Sequence, residues 1–573
     1  MLLALSACAE APVVNAGGSV GGRILLAAAQ STVRSDADPS AGSPFGSYLA
    51  GLHAGNARDL SAAADFMLHA LSYDPVDPQL LNRTLLLLAG DGRFDEAAAI
   101  ARRVQAVTPG NGLAGLVLAV EAARTGGFAE AESMLASLPD RGLSEITGAL
   151  MQAWLRVAQN DIQGAASRMG PLRNKNGFGV LYGMHMGLMR DMLGDTAEAR
   201  KDFELALESA AQPSLRLVWL AGNFFERTGD PARAIALYEA FLQSNPGSSV
   251  ITAALERARA GQVPAPVLGD AKQGMAEALF NLASLLSQER AEDVALVHVH
   301  LALRLHGDFG IARVLLGEVL QAQDRGTAAI EVYRGISPDS PFSLMVRLRI
   351  AEELERLDKI DEAVAELETI AADEPQRAEP LIRLGNLLRN KERFAEATTA
   401  YDRAVARIGA PERRYWTLYY FRGIALERQS QWARAEADFL QALELEPEQP
   451  FVLNYLAYSW VELKRNLDKA KGMLVRAVEL RPDDGFIVDS LGWAYFQLGD
   501  FDLGVKYLER AVELRPQDPV INDHLGDAYW RVGRKHEARF QWRRALSLKP
   551  EAKDVPAIES KIQQGLPDKP KDI

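Results

Sequence analysis

Compact side chains return every 34 residues through most of this chain, and so long a period leaves few folds open. One series runs Gly51, Leu85, Ala119, Ala153, Gly187 and Gly222, resumes at Ala283, Gly317, Ala351 and Gly385, and ends with Gly423, Ala457, Gly492 and Gly526. A second series follows by about twelve residues, from Ala63, Ala97 and Ala131 through Ala363 and Ala397 to Ala470, Gly504 and Ala538. Small residues in this arrangement mark where two consecutive helices approach, because bulk there would push the backbones apart. Pro75, Pro109, Pro246, Pro375, Pro447, Pro482, Pro516 and Pro550 each fall about 24 residues after a first small position. Proline cannot continue a helix interior but suits the turn into a new one. A chain of 573 residues is too long for one core. A single helix pair cannot bury its apolar face alone, so the units must stack.

The pattern resembles the tetratricopeptide repeat, most fully at Leu525, Gly526, Tyr529, Gly533, Ala538, Trp542, Ala545 and Pro550. Leu384, Gly385, Leu388, Ala397, Tyr401 and Ala404 keep the spacing with an aliphatic exchange. The resemblance implies an all-α, right-handed superhelical solenoid of about fourteen helix pairs over residues 44–550. Gly222 and Ala283 stand 61 residues apart, and the surplus contains Val263-Pro264-Ala265-Pro266-Val267, whose prolines favour extended chain. We therefore expect an N-terminal array at 44–246, a helix and proline-containing linker at 247–275 acting as a hinge or break, and a C-terminal array at 276–550. Four extra residues around Ala410-Pro411-Glu412-Arg413 lengthen one turn. Residues 551–573 read as a capping helix, with Ile558 and Ile562 on one face, and a loose tail.

Local signatures of chemistry are missing. No phosphate-cradling glycine loop, His-Glu-x-x-His or Gly-x-Ser-x-Gly occurs, so no catalytic residue and no cofactor is assigned. His298, His300 and His306 are the one local histidine cluster, but residues two apart on a helix point in different directions. A partly exposed structural role is expected there rather than a metal site. Asp483 and Asp484 sit beside Pro482, where helix capping accounts for them. A net charge of -13 without a basic stripe argues against a nucleic-acid partner.

Function must then come from the surface. Repeats of this kind present a concave groove lined by the first helix of each unit. Counting six and three residues before and one, four and five after the first small position places Tyr420, Phe451, Tyr458, Phe486, Trp493, Phe496 and Trp530 in the groove, with Asp489, Asp523 and Asp527 beside them. Large aromatics are frequent binding anchors, and the alternative is that several of these belong to the core between helices. In the N-terminal array the same positions are mixed, as at Arg216, Trp219, Asn223, Glu226 and Arg227. Ile382, Tyr420, Asn454, Asp489 and Asp523 offer no basic clamp for a C-terminal carboxylate, which sets aside the chaperone-binding subclass.

Cys8 is the only cysteine, and Leu2-Leu3-Ala4-Leu5-Ser6-Ala7-Cys8 resembles the lipobox of bacterial lipoproteins. The apolar run is short and lacks a basic start, so a partial signal at 1–8 with an upstream start is expected. Cys8 would be lipidated and residues 9–43 would be a flexible tether. Ala9, rather than Asp, implies by the same resemblance the outer membrane, facing the periplasm, with membrane contact only through the lipid. The strings Asn454-Tyr455-Leu456-Ala457-Tyr458, Asp489-Ser490-Leu491-Gly492-Trp493-Ala494-Tyr495 and His524-Leu525-Gly526-Asp527-Ala528-Tyr529-Trp530 are similar to those of proteobacterial repeat lipoproteins. Some of these are adaptors of a periplasmic C-terminal processing protease acting on cell-wall hydrolases. The resemblance implies a non-enzymatic adaptor holding protease and substrate together. The alternatives are a scaffold for envelope or polysaccharide export machinery, an enzyme with a dispersed site, or a cytosolic interaction protein.

Overall fold

The computed structural model describes residues 43–567 apart from Asp140, Asn174 and Asn176. Cys8 and all but the last residue of the expected 9–43 tether lie outside the described residues. Among those described are thirty α-helices and no β-strand, so the chain is all-α as its periodicity requires. Helices follow one another as antiparallel pairs, from Pro44–Asn56 with Leu60–Tyr73 to Pro519–Arg531 with Lys535–Ser547.

The register of the small residues is the register of the pairs. Seven residues after every member of the first series the backbone turns left-handed, which reverses the chain between the two helices. Glycine supplies this at 92, 126, 194, 229, 499 and 533, with φ from 76° to 86°. Arg58, Asn160, Arg290, Asp324, Asp358, Glu392, Ser430 and Lys464 adopt it with φ from 54° to 61°. Those fourteen turns count the repeats. The first small position gives way to a large side chain sixteen residues on, in the paired helix. A Cβ added at Gly423 would stand 2.7 Å from Phe439, and one at Gly526 2.5 Å from Trp542. At Gly222 and Gly317 it would run into the rings of Tyr238 and Tyr333. The alanines of the second series are fully buried.

The chain divides into two compact units, residues 1–358 and 359–573, so the segment 247–275 lies inside the first unit. In that first unit, helix Ser249–Arg259 extends the stack and residues 260–270 carry the chain, without helix, to the pair Ala271–Gln288 and Glu292–Leu305. This pair turns inward. Ala271–Gln288 packs on Gly142–Ala158 and Gly179–Met192, and Glu292–Leu305 on Pro78–Gly90 and Gly112–Arg124, the first helices of the second to fifth repeats. Gly274 lies so close under the Trp154 ring that any side chain there would overlap it. Buried Glu277 takes a two-pronged bond from buried Arg216, with Nε–Oε1 at 3.0 Å and Nη2–Oε2 at 2.5 Å. Arg304 reaches Glu121 at 2.7 Å and Asp95 at 2.6 Å.

The second unit keeps its apolar residues between the paired helices and between neighbouring repeats. Phe439, Leu456, Trp460, Leu474 and Leu491 form one continuous cluster. Leu508, Leu525, Trp542 and Ile558 form the last, where helix Val555–Gln564 covers the final pair with Ile558 buried and Ile562 packed beside it.

Candidate functional site

The inner helices of the second unit are Glu379–Asn390, Trp416–Arg428, Pro450–Glu462, Gly485–Leu498 and Pro519–Arg531. Three of them start where the turn chemistry places them. Asp484 accepts from Phe486 N and Ile487 N, Asp518 from Val520 N and Ile521 N, and Gln449 from Phe451 N. The carboxylate expected beside Pro482 is thus a helix cap.

Four of the ten predicted groove residues meet in one cluster or beside it. Trp493 is stacked between His524, at 4.0 Å and 11°, and Phe496, at 4.8 Å and 10°. Its indole N–H donates to Glu462 Oε1 at 2.6 Å. Asp489 is buried and holds His524 Nδ1 at 3.0 Å. Burial alone would lower the His524 pKa, but Asp489 and, more weakly, Asp523 and Asp527 reverse the shift and raise it. The carboxylates thus oppose the proton loss that burial would cause at this imidazole. Tyr458 is half-buried nearby, its hydroxyl kept protonated by burial and by Glu462 and Asp489.

The remaining residues go elsewhere. Tyr420 leans into the core beside Phe439 and Tyr455, at 6.2 and 6.0 Å, and burial pushes its hydroxyl up to about 12. Phe451 and Phe486 stand in the first turns of their helices under the guanidinium groups of Arg481, at 5.2 Å, and Arg515, at 5.0 Å. They sit at the edge between repeats. Asp523, Asp527 and Trp530 are engaged by the chain's own C-terminal segment. Lys561 Nζ lies 2.7 Å from Asp523 and 2.8 Å from Asp527, and Trp530 packs against Gly565. Asp527 also accepts from Trp542 Nε1 at 2.8 Å, while burial raises its pKa against the pull of Lys561.

Offset counting missed His524, which falls two residues before Gly526, because its role comes from Asp489 and Trp493 in the preceding repeat. Arg389, four residues after Gly385 and so on the counted register, covers Phe421 of the following repeat with its guanidinium at 4.2 Å. Two acceptors on the inner register, Asn454 Oδ1 and Asp523 Oδ1, are buried without a donor among the described residues.

In the first unit the mixed polar positions serve the chain itself. Arg216 pairs with Glu277, and Asn223 donates to Ala265 O of the non-helical segment at 2.9 Å. Glu226 holds Tyr238 and Arg257, and Arg227 bridges Asn223 and Asp191. Of the three histidines, His298 is buried, while His300, against Gly92, and His306, stacked on Phe309, are half-buried. No group of three or more His, Cys, Asp or Glu side chains among the described residues is arranged to hold a metal ion, and no described helix is long and apolar enough to cross a membrane.

Models of the tetratricopeptide repeat match residues 192–249, 348–413 and 489–518. No curated protein matches the chain. Solved structures similar to it include the APC/C hetero-tetramer Cut9–Hcn1, at 17% identity over 86% of this chain and 98% of that one, with a TM-score of 0.36. YrrB, described as a TPR protein with an unusual peptide-binding site, shares 21% identity over 34% of this chain and 97% of its own, with a TM-score of 0.28. A tetratricopeptide repeat protein from Parabacteroides merdae shares 14% over 49% and 96%, with a TM-score of 0.33.

Proposed function

We propose that this chain of stacked tetratricopeptide repeats is a non-catalytic scaffold that holds protein partners, and that the inner face of the second unit is where it holds them. The observation that carries this reading is the Trp493 platform. It is fixed by His524, Asp489 and Glu462, all on the inner helices of that unit. The inner face of the first unit, by contrast, is filled by its own helix pair. His524 and Phe496 take the two ring faces, so the half-exposed edge of the indole is what a ligand would meet. A side chain already held rigid loses little entropy there, which suits it to anchor a segment of polypeptide. Trp493→Ala should weaken partner binding by roughly 2 kcal/mol or more, measured at a temperature where circular dichroism shows the variant fully folded. Undiminished capture would sink the reading.

The finer reading adds place and partner. Cys8 is the lipidated residue of an outer-membrane lipoprotein facing the periplasm, and the partners are a C-terminal processing protease and its cell-wall hydrolase substrates. The lipobox-like run before Cys8 and the framework strings around Ala457, Gly492 and Gly526 support this. Holding both proteins on one tether would raise their effective concentration. Cells labelled with a clickable fatty acid should mark the protein and lose the mark with Cys8→Ser. A pull-down from envelope extract should recover the protease; recovery of export components instead would favour the scaffold alternative.

A further inference from the structure

In the first unit, a cleft of about 940 Å³ opens between the first two repeats and the inward-turned pair. Phe45, Tyr48, Tyr73 and Leu86 line one side and Leu296 the other. The surface around it is unusually apolar for a solenoid end: Phe45 is 80% exposed, Leu49 63%, Val76 64% and Tyr73 55%. A terminal repeat needs a cap with a polar outer face, as the last repeat has in helix Val555–Gln564. Within the described residues of the first unit nothing plays that part for the first repeat.

We propose that residues 23–34 of this same chain occupy the cleft and cap the first repeat. Three observations select them over a second copy or a foreign partner. They lie close in sequence, because only residues 35–43 separate them from Pro44. Those nine residues reach about 30 Å when extended, further than the roughly 20 Å length of the thirteen-residue helix Pro44–Asn56 they must return along. Their composition matches the cleft: Ile24, Leu25, Leu26, Ala29 and Val33 recur at helical spacing among small residues, with Arg23 and Arg34 at the ends. The lining is balanced toward acid, with Asp74, Asp77 and Asp293 against Arg58 and Arg83. The tether to any lipid on Cys8 would then be residues 9–22. The proposal stands independently of partner binding on the second unit.

The test uses the full chain carrying Cys8→Ser and a photoreactive benzophenone side chain in place of Leu26, mixed as light and isotopically heavy copies. Adducts should join position 26 to peptides from residues 44–90 of the same copy. Light-to-heavy adducts would hand the cleft to a second copy, and an absence of adducts in 44–90 would overturn the proposal outright. In a chain with Leu25→Asp and Leu26→Asp, amide exchange in Pro78–Gly90 should quicken about tenfold, with Pro519–Arg531 unchanged. Equal rates in Pro78–Gly90 would also overturn it. Trp493→Ala should alter neither readout, so failure here is separable from failure of the binding reading.

Discussion

Eight of the fourteen repeats place a residue with a side chain where the backbone turns left-handed, a conformation that costs such residues about 1 to 2 kcal/mol relative to a right-handed one. Ser430→Gly should therefore stabilise its repeat by about 0.5 to 1 kcal/mol after the added freedom of the unfolded chain is deducted. Gly229→Ala should cost about 1 to 2 kcal/mol. Urea titration of the two variants checks both signs. At the helix contact, Gly317→Ala must displace the Tyr333 ring and should cost about 1 to 3 kcal/mol, read in the same titration. The glycines and alanines at the crossings were legible because packing leaves no choice at those positions. The turns were legible only at their six glycines, since Arg, Asn, Asp, Glu, Ser and Lys share no property that announces a positive φ. His524 was illegible for a different reason: its partner and its stacking surface belong to the preceding repeat, about 30 residues away.

At the scale of elements, the inward pair Ala271–Gln288 and Glu292–Leu305 is the feature that periodicity did not foretell. The irregular spacing between Gly222 and Ala283 read as a hinge, because residues 260–270 look like a linker. They are one, but they deliver the pair onto helices already laid down, through contacts such as Arg304 to Glu121, 183 residues apart in the chain. No local pattern records such a distance. Arg216→Ala would leave Glu277 buried without its counterion and should destabilise the first unit by about 3 to 5 kcal/mol, measured by amide exchange in Gly179–Met192. The same packing makes this unit sensitive to acid. Burial lowers His185 to about 4 despite the nearby Glu277, and lowers His300 to about 4 with help from Arg325. The unfolded chain takes up these protons first, so their contribution is complete above about pH 6.5 and drains away as pH falls toward 4. His524 has the opposite sign: its raised pKa contributes below about 6.5 and is lost as pH rises through the folded value. With rates divided by the intrinsic amide rate at each pH, moving from pH 7 to pH 5 should lower protection in Gly179–Met192 and raise it around Asp489 and His524; the reverse would refute the assignment.

At the scale of the molecule, only the second unit is a plain sum of interfaces between neighbours, so damage there stays local. Trp542→Ala, which empties the middle of the last hydrophobic cluster, should cost about 3 to 5 kcal/mol. It should loosen Lys535–Ser547 and Val555–Gln564 and leave exchange in the first unit untouched. The fold class was written plainly in the spacing, because every repeat obeys the same constraint. The candidate surface was legible only in part. Positional counting gathered Trp493, Phe496 and Asp489, which meet in or beside one cluster, together with Tyr420, which packs on the core, and Asp527, which the C-terminal segment engages.

A stack held only between neighbours behaves under tension like a soft spring, yielding one coil at a time. The second unit has that character. The first does not, because its inward pair staples together coils that a spring would let separate, and Arg216, Glu277, Trp154 and Arg304 are the stitches. Pulled from its ends, the first unit should hold its length and then give way in a single large event.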